Sequence, residues 1–135
     1  MTFEELYHTA DVLVRVRGAS INEVFADAAR ALFSVMYGDC EDGGIVQTLT
    51  LEADDRESLL HDFLSELLFI TDVENVVFCS FDVEVRDGDL SVVMRGEPFE
   101  HEKHSGGTIV KGISYSGLQI VKDDETYEVD VLFDV

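Results

Sequence analysis

The stretch HTADVLVRVRG, residues 8–18, decides the fold, because apolar residues recur in it at every second position. Side chains of a β-strand alternate between its two faces, so this pattern predicts a strand with one buried face. The end of the chain, residues 127–135, repeats the alternation. The residues predicted to face the core are Val12, Val14 and Val16 in the first segment and Val129, Val131 and Phe133 in the last.

Asp11 and Asp134 each lie at an end of their strand, on the face that points away from the predicted core. If the two ends lie together, both carboxylates meet the carboxylate of Val135, and an oxygen-only set of this kind suits Ca²⁺. Mg²⁺ fits less well, because it prefers to remain largely hydrated and octahedral. The alternative is that each aspartate is an ordinary surface residue at a strand end, since periodicity alone does not bring the two ends together.

The composition indicates one folded domain with a strongly acidic surface. The chain has 135 residues, 46% of them hydrophobic, and a formal net charge of −20. Such a charge disfavours direct binding of nucleic acid, which needs a basic surface. A normal apolar fraction argues against disorder, so we expect a folded protein of a high-salt cytoplasm, where ions screen self-repulsion.

The two cysteines, Cys40 and Cys79, form no CxxC pair and have no closely spaced histidine, so the sequence indicates neither a redox motif nor a zinc site. Cys79 shares a strand face with Val77 and Phe81 and is expected in the core. There is neither a signal peptide nor an apolar run of about 20 residues, which predicts a cytoplasmic protein without membrane contact.

Two helices and a series of strands are predicted along the chain. Capping spacings at Ser20 and Glu23, and at Asp54 and Glu57, predict helices that end near Gly38 and near residue 71. The other segments are a strand over 45–53, a hairpin of 76–85 with 90–94, a polar loop over 99–107, and strands over 108–115, 118–122 and 127–133. This order predicts a single α+β domain with two helices packed on a mostly antiparallel sheet.

The basic side chains offer few further candidates. Lys111 lies in line with, or at the margin of, an inward-facing set of Ile109, Ile113 and Tyr115, so it either snorkels at the surface or pairs with an acid or phosphate. His8 suits a general base or a hydrogen-bonding turn residue better than a ligand of a hard ion. His101 and His104 are expected to be exposed loop residues.

The phosphate-loop, GxSxG and HExxH signatures of enzymes are absent.

Several segments in combination resemble the archease family over essentially the whole chain. They are HTAD at 8–11, FADAARALF at 25–33, SELL at 65–68, GEP at 96–98, KGISY at 111–115 and FDV at 133–135. The resemblance implies a strand–helix–two-strand module elaborated into one domain. It also implies a non-catalytic activator that promotes guanylylation and turnover of the RtcB-type tRNA-splicing RNA ligase.

The resemblance further implies that Asp11, Asp134 and Val135 bind calcium and that Lys111 and His8 serve activation. The family commonly has a histidine where this chain has Ser116, so no role of that histidine is transferred. Two alternatives remain open at this point. One is a stand-alone metal-dependent phosphoester hydrolase, and the other is a chaperone or adaptor whose calcium is structural.

Overall fold

A computed structural model describes residues 2–6 and 11–135 of the chain. The strands are β1 (Thr2–Leu6), β2 (Asp11–Gly18), β3 (Ile45–Glu52), β4 (Val76–Arg86), β5 (Asp89–Pro98), β6 (Gly112–Ile113), β7 (Val121–Asp123) and β8 (Thr126–Asp134). The helices of the described part are α1 (Ile21–Tyr37), α2 (Arg56–Glu74) and the single turn α3 (His101–His104). The predicted α+β class in one domain is confirmed.

The strands of residues 2–6 and 11–135 form two antiparallel sheets, whereas the sequence predicted one. The first sheet has the order β1-β2-β8-β6, with β7 also paired to β8, and the second has the order β3-β5-β4. The segments β3, α2, β4 and β5 follow each other in strand–helix–two-strand order, as expected. Periodicity identifies strands but carries no information on which strands pair, so the division could not be predicted.

Helix α1 packs against β2 and β8 of the first sheet and against β4 of the second. A helix that contacts two sheets needs apolar or small residues around most of its circumference. Accordingly, Ala26, Ala28, Ala29 and Ala31 are buried together with the larger residues of the predicted stripe. Its start is the predicted one, since the Ser20 side chain accepts a hydrogen bond from Glu23 N at 3.2 Å.

Helix α2 differs from its predicted bounds at both ends. Asp55 caps it instead of Asp54 and accepts a hydrogen bond from Ser58 N at 2.7 Å. These backbone and side-chain hydrogen bonds from Ser58 hold the pKa of Asp55 below its ordinary value. At the other end the helix continues to Glu74, where Asn75 adopts a left-handed conformation with φ of 53°. Asparagine tolerates this conformation and so ends the helix.

The strands after residue 107 are shorter than predicted. Of the predicted strand over 108–115 only Gly112–Ile113 pairs, and the next strand is Val121–Asp123. The inward residues of the first segment are Val110 and Ile113, while Ile109 and Tyr115 are exposed, which corrects the expected set. The reason is that an irregular backbone precedes β6, so two-residue alternation does not apply there.

No helix of the described residues is both long and apolar enough to cross a membrane.

Candidate functional site

The two aspartates singled out by the sequence lie opposite each other in neighbouring strands. β2 pairs antiparallel with β8 in a register that places Asp11 against Asp134 and Val12 against Phe133. Directly opposed residues point to the same face, with Cβ atoms about 4.5–5.5 Å apart. The structure therefore brings together two carboxylates that are 123 positions apart in the chain.

A third strand completes this end of the sheet on the other side of β8. Gly112 of β6 pairs with Asp134, and Lys111 N donates a hydrogen bond of 2.7 Å to Asp134 O. A Cβ built on Gly112 would lie 3.5 Å from Asp134 Oδ2, so this carboxylate lies beside the β6 backbone. Three distant segments of the chain thus meet at one end of the sheet, with Val135 directly after Asp134.

Helix α2 holds the short strand β6 in this position. The His61 ring contacts Ile113 O through Nε2 at 2.9 Å and stacks on the Tyr115 ring with centroids 3.7 Å apart. The pairing of only two residues with β8 would by itself hold β6 weakly in place. These contacts were not foreseen from the sequence, because the helical stripe of α2 assigned no partner to His61.

Other carboxylates of the first sheet are neutralised within it. Arg15 donates to Asp130 through Nε at 2.8 Å and through Nη2 at 3.1 Å, and Arg17 pairs with Glu128 across the same two strands. The hydrogen bond to Asp130 raises the pKa of the Arg15 guanidinium. Asp11 and Asp134 are also opposed across β2 and β8, but here two acidic side chains face each other, and like charges directly opposite each other destabilise a strand pair. The donors gathered here are oxygens, which suit a hard cation.

Lys111 is exposed and not part of an inward-facing set. Within residues 2–6 and 11–135 its side chain forms no ion pair, so its charge is available to a partner. It lines a groove of about 780 Å³ between α2 and the segment over 99–112. Phe69 and Ile109 of the same groove are 61% and 80% exposed. His8 lies outside the described residues, so the prediction about it is untested.

A second polar cluster was missed from the sequence, and Glu97 is its centre. By strand alternation Glu97 belongs with Val93 and Arg95 on the outer side of β5, yet the structure leaves it only 7% exposed. Its carboxylate accepts hydrogen bonds from Lys103 Nζ at 2.7 Å, from Glu41 N at 2.8 Å and from His104 Nε2 at 3.2 Å. Chiefly the Lys103 hydrogen bond lowers the pKa of Glu97 to about 2.

His104 corrects the expectation of exposed loop histidines, because it is 1% exposed. Its Nδ1 accepts a hydrogen bond of 2.9 Å from Glu100 N, which assigns the ring proton to Nε2, the nitrogen that contacts Glu97. The loop over 99–107 folds back through α3 and covers Glu97. In the sequence this cluster shows only as a lysine and a histidine side by side, Lys103 and His104, in a polar loop.

The cysteines also depart from expectation, since Cys40 and Cys79 form a disulfide with Cα atoms 5.4 Å apart. Cys79 is half-buried and not in the core, because a β-bulge between Phe78 and Ser80 interrupts the alternation of β4. Gly96 faces this bulge so closely that a Cβ would overlap Val77 O. Only glycine allows β5 to approach β4 at this point, which explains the glycine before Glu97.

Comparisons with known proteins agree with the resemblance seen in the sequence. The model of the Archease protein family (MTH1598/TM1083) matches residues 3–135. A protein of Drosophila melanogaster named "Protein archease-like" is 41% identical to this chain, and the match covers 100% of this chain and 91% of that protein. A protein archease of Methanosarcina acetivorans is 34% identical, with 98% and 95% covered.

Two solved structures share the fold. The solution structure of protein 1598 from Methanobacterium thermoautotrophicum has a TM-score of 0.83 and 32% identity, covering 98% of both chains. The crystal structure of an archease from Thermotoga maritima, described as a possible chaperone, has a TM-score of 0.70 and 18% identity, covering 98% of this chain and 96% of that one. The latter supports the fold alone, whereas the family model and the curated relatives carry the assignment. The chain therefore belongs to the archease family.

Proposed function

We propose that this protein is a non-catalytic activator of the RtcB-type tRNA-splicing RNA ligase and that it works through a calcium site at the end of its first sheet. Asp11 and Asp134 supply carboxylates, and Val135 supplies a further oxygen. The observation that carries the proposal is the register of β2 and β8, which opposes the two aspartates. Family membership supports the activity that the sequence resemblance implies.

The cation would relieve the repulsion between two opposed carboxylates and tie the ends of β2 and β8 to each other. Lys111 N already fixes the Asp134 carbonyl, so one carboxylate of the pair is attached to an ordered backbone. Ca²⁺ accepts about 6–8 oxygens in irregular geometry, so water and backbone carbonyls complete the set. The protein's own contribution is to hold these oxygens, and Lys111 beside them, in one orientation.

The surface next to this end supports contact with a protein partner. The groove carries exposed Phe69 and Ile109 together with the Lys111 ammonium. At molar salt long-range attraction is screened, so apolar packing and short hydrogen bonds have to supply affinity. With a net charge of −20, the protein is not expected to bind RNA directly, and the ligase holds the RNA.

The deciding experiment is multiple-turnover ligation of cleaved tRNA halves by the ligase of the same organism in molar KCl, with and without this protein. A large rate gain is expected from the wild type and its loss from Asp11→Ala. Lys111→Ala should reduce the gain, whereas Lys122→Ala serves as the matched control, since Lys122 is exposed on β7 and its ammonium lies 5.5 Å from the centre of the Tyr127 ring. An active ligase that gains nothing from the wild type contradicts the proposal.

A chain extended beyond Val135 tests which oxygen that residue supplies. If the site uses a terminal carboxylate, the extension weakens calcium binding and activation together. If it uses the backbone carbonyl, both are unchanged while Asp134→Ala still abolishes them.

A chaperone or adaptor is the second candidate, favoured by the exposed apolar groove and by the description of the Thermotoga relative as a possible chaperone. In that case calcium removal lowers the melting temperature, and ligase activation survives in Lys111→Ala. A stand-alone hydrolase would instead turn over model phosphoesters without the ligase and lose that turnover in Asp11→Ala.

A further inference from the structure

The carboxylate of Glu97 lies beside the sulfur atoms of the Cys40–Cys79 disulfide. Ligand atoms of Cys40, Cys79 and Glu97 all lie within 4.8 Å of one another. The cysteines are half-buried and Glu97 is buried, so the three groups are collected from the loop after α1, from the bulge of β4 and from the end of β5. We propose that reduction of the disulfide converts this cluster into a binding site for a thiophilic divalent cation such as Zn²⁺.

The backbone geometry suits both states of the cysteine pair. Tetrahedral zinc with Zn–S bonds of about 2.3 Å holds two sulfurs about 3.8 Å apart. Cα atoms 5.4 Å apart allow that separation through side-chain rotation alone. The same pair therefore forms either a disulfide or two zinc ligands without movement of β4.

Glu97 has one acceptor position left for a metal. The two oxygens of a carboxylate offer about four positions, and Lys103, Glu41 N and His104 occupy three of them. Hydrogen bonds of this kind orient a ligating carboxylate and are part of most metal sites. His104 donates through Nε2 and is therefore a positioning residue for Glu97, not a ligand.

The formal charges balance in the reduced, metal-bound state. Two thiolates and the Glu97 carboxylate are negative, and the Lys103 ammonium 2.7 Å from Glu97 together with Zn²⁺ is positive to the same extent. Two sulfurs select a softer cation than the all-oxygen set at Asp11 and Asp134 does. The fourth coordination position is left to water.

The change of state is a two-electron step. A dithiol reductant of the thioredoxin class gives two electrons and two protons to the disulfide sulfurs and becomes a disulfide itself. Zn²⁺ then displaces the two thiol protons as the thiolates bind. A reducing cytoplasm, the compartment expected from the sequence, favours the thiol state.

Co²⁺ titration of the full chain in molar KCl tests the site, because a sulfur-to-cobalt charge-transfer band reports thiolate ligands and ignores the many surface carboxylates. The reduced wild type should show the band with one metal per chain, and Zn²⁺ should displace the cobalt. The oxidised wild type and Cys79→Ser should bind at least about 100-fold more weakly and lack the band. The comparison of reduced and oxidised wild type needs no variant, so it holds even if a substitution impairs folding.

Glu97→Gln should weaken the affinity about tenfold, while Glu100→Gln, which removes the same charge near Lys103, should change it less than about twofold. Absence of the band in the reduced wild type overturns the proposal. So does a band that persists in Cys40→Ser or Cys79→Ser. The proposal is independent of the calcium site, and Asp134→Ala should leave the cobalt band unchanged.

Discussion

Carboxylates at the end of the first sheet and the carboxylate of Glu97 differ in their exposure and in the groups that face them. Asp134 is exposed and faces Asp11 with like charge, at a position where β6 supplies backbone and no opposing side chain. Glu97 is buried and receives three hydrogen bonds from its own chain, one of them from an ammonium. Glu97 is therefore neutralised within the fold, whereas the two opposed aspartates are the oxygen set that we propose for a cation.

The comparison sets a carboxylate that stabilises the fold, Glu97, against a pair of carboxylates whose mutual repulsion opposes strand pairing. Burial of a charge is tolerated when its hydrogen bonds are complete, and its loss then leaves donors without partners. Opposed surface carboxylates weaken the strand pair slightly when no cation is present. The following changes test whether the two regions differ in this manner.

The largest expected effect on stability is that of Glu97→Ala, which leaves Lys103, His104 and Glu41 N without their acceptor. We expect the free energy of unfolding to fall by about 3 kcal/mol. Asp82→Ala, which removes an exposed ion pair with Arg95, should cost less than about 1 kcal/mol. Urea unfolding of both variants decides, and equal losses would remove the contrast.

If calcium binds as proposed, it should stabilise the wild type by about 2.7 kcal/mol at a concentration about 100 times its Kd, because the site exists only in the folded chain. Asp134→Asn should abolish most of this gain, whereas Asp130→Asn, on the same strand and paired with Arg15, should retain it. Urea unfolding with calcium and with a chelator measures the difference. A full gain in Asp134→Asn would exclude that residue as a ligand.

Acid should weaken the Glu97 cluster in a defined window. The pKa of Glu97 is about 2 in the folded protein against an ordinary value of 4.5, so the unfolded chain takes up a proton first as the pH falls. Its contribution is complete above pH 4.5 and is lost between pH 4.5 and pH 2. The difference in unfolding free energy between wild type and Glu97→Gln should shrink over this range, and a constant difference would refute the coupling.

The smallest expected effect is a substitution at the end of the first sheet that stabilises the protein instead of destabilising it. Without calcium, Asp134→Asn should stabilise the protein by about 0.5 kcal/mol, because it removes a like charge opposite Asp11. Thermal unfolding in a chelator at low and at molar KCl measures it, with a smaller gain expected at high salt. A destabilised variant would mean that Asp134 is already neutralised by the fold.

Much of the secondary structure was predictable, because it depends on neighbours in sequence. The alternation of residues 12–16 and 129–133, the Ser20 cap and the hairpin turn at 87–89 all appear in the structure at the expected places. The predictions failed where a distant contact overrides local pattern. The bulge at Cys79 and the irregular backbone before β6 are two such places.

The residues of the candidate site could be predicted from the sequence, but their proximity in space could not. Asp11 and Asp134 were recognised as strand-end carboxylates, but only the pairing of β2 with β8 makes them neighbours. Glu97 stands out in the sequence only as part of the GEP segment at 96–98, because its burial results from a loop that folds over it. Cys40 and Cys79 are 39 positions apart, so no spacing rule could connect them.

The sequence by itself determined the α+β class, the buried faces of β2 and β8 and the acidic surface, because periodicity and charge are local or additive properties. Only the tertiary structure decided that two sheets form, that Asp11 opposes Asp134, that Lys111 is exposed and that Glu97 meets two cysteines. Each of these depends on contacts between segments far apart in the chain, and such contacts follow from packing of the whole core.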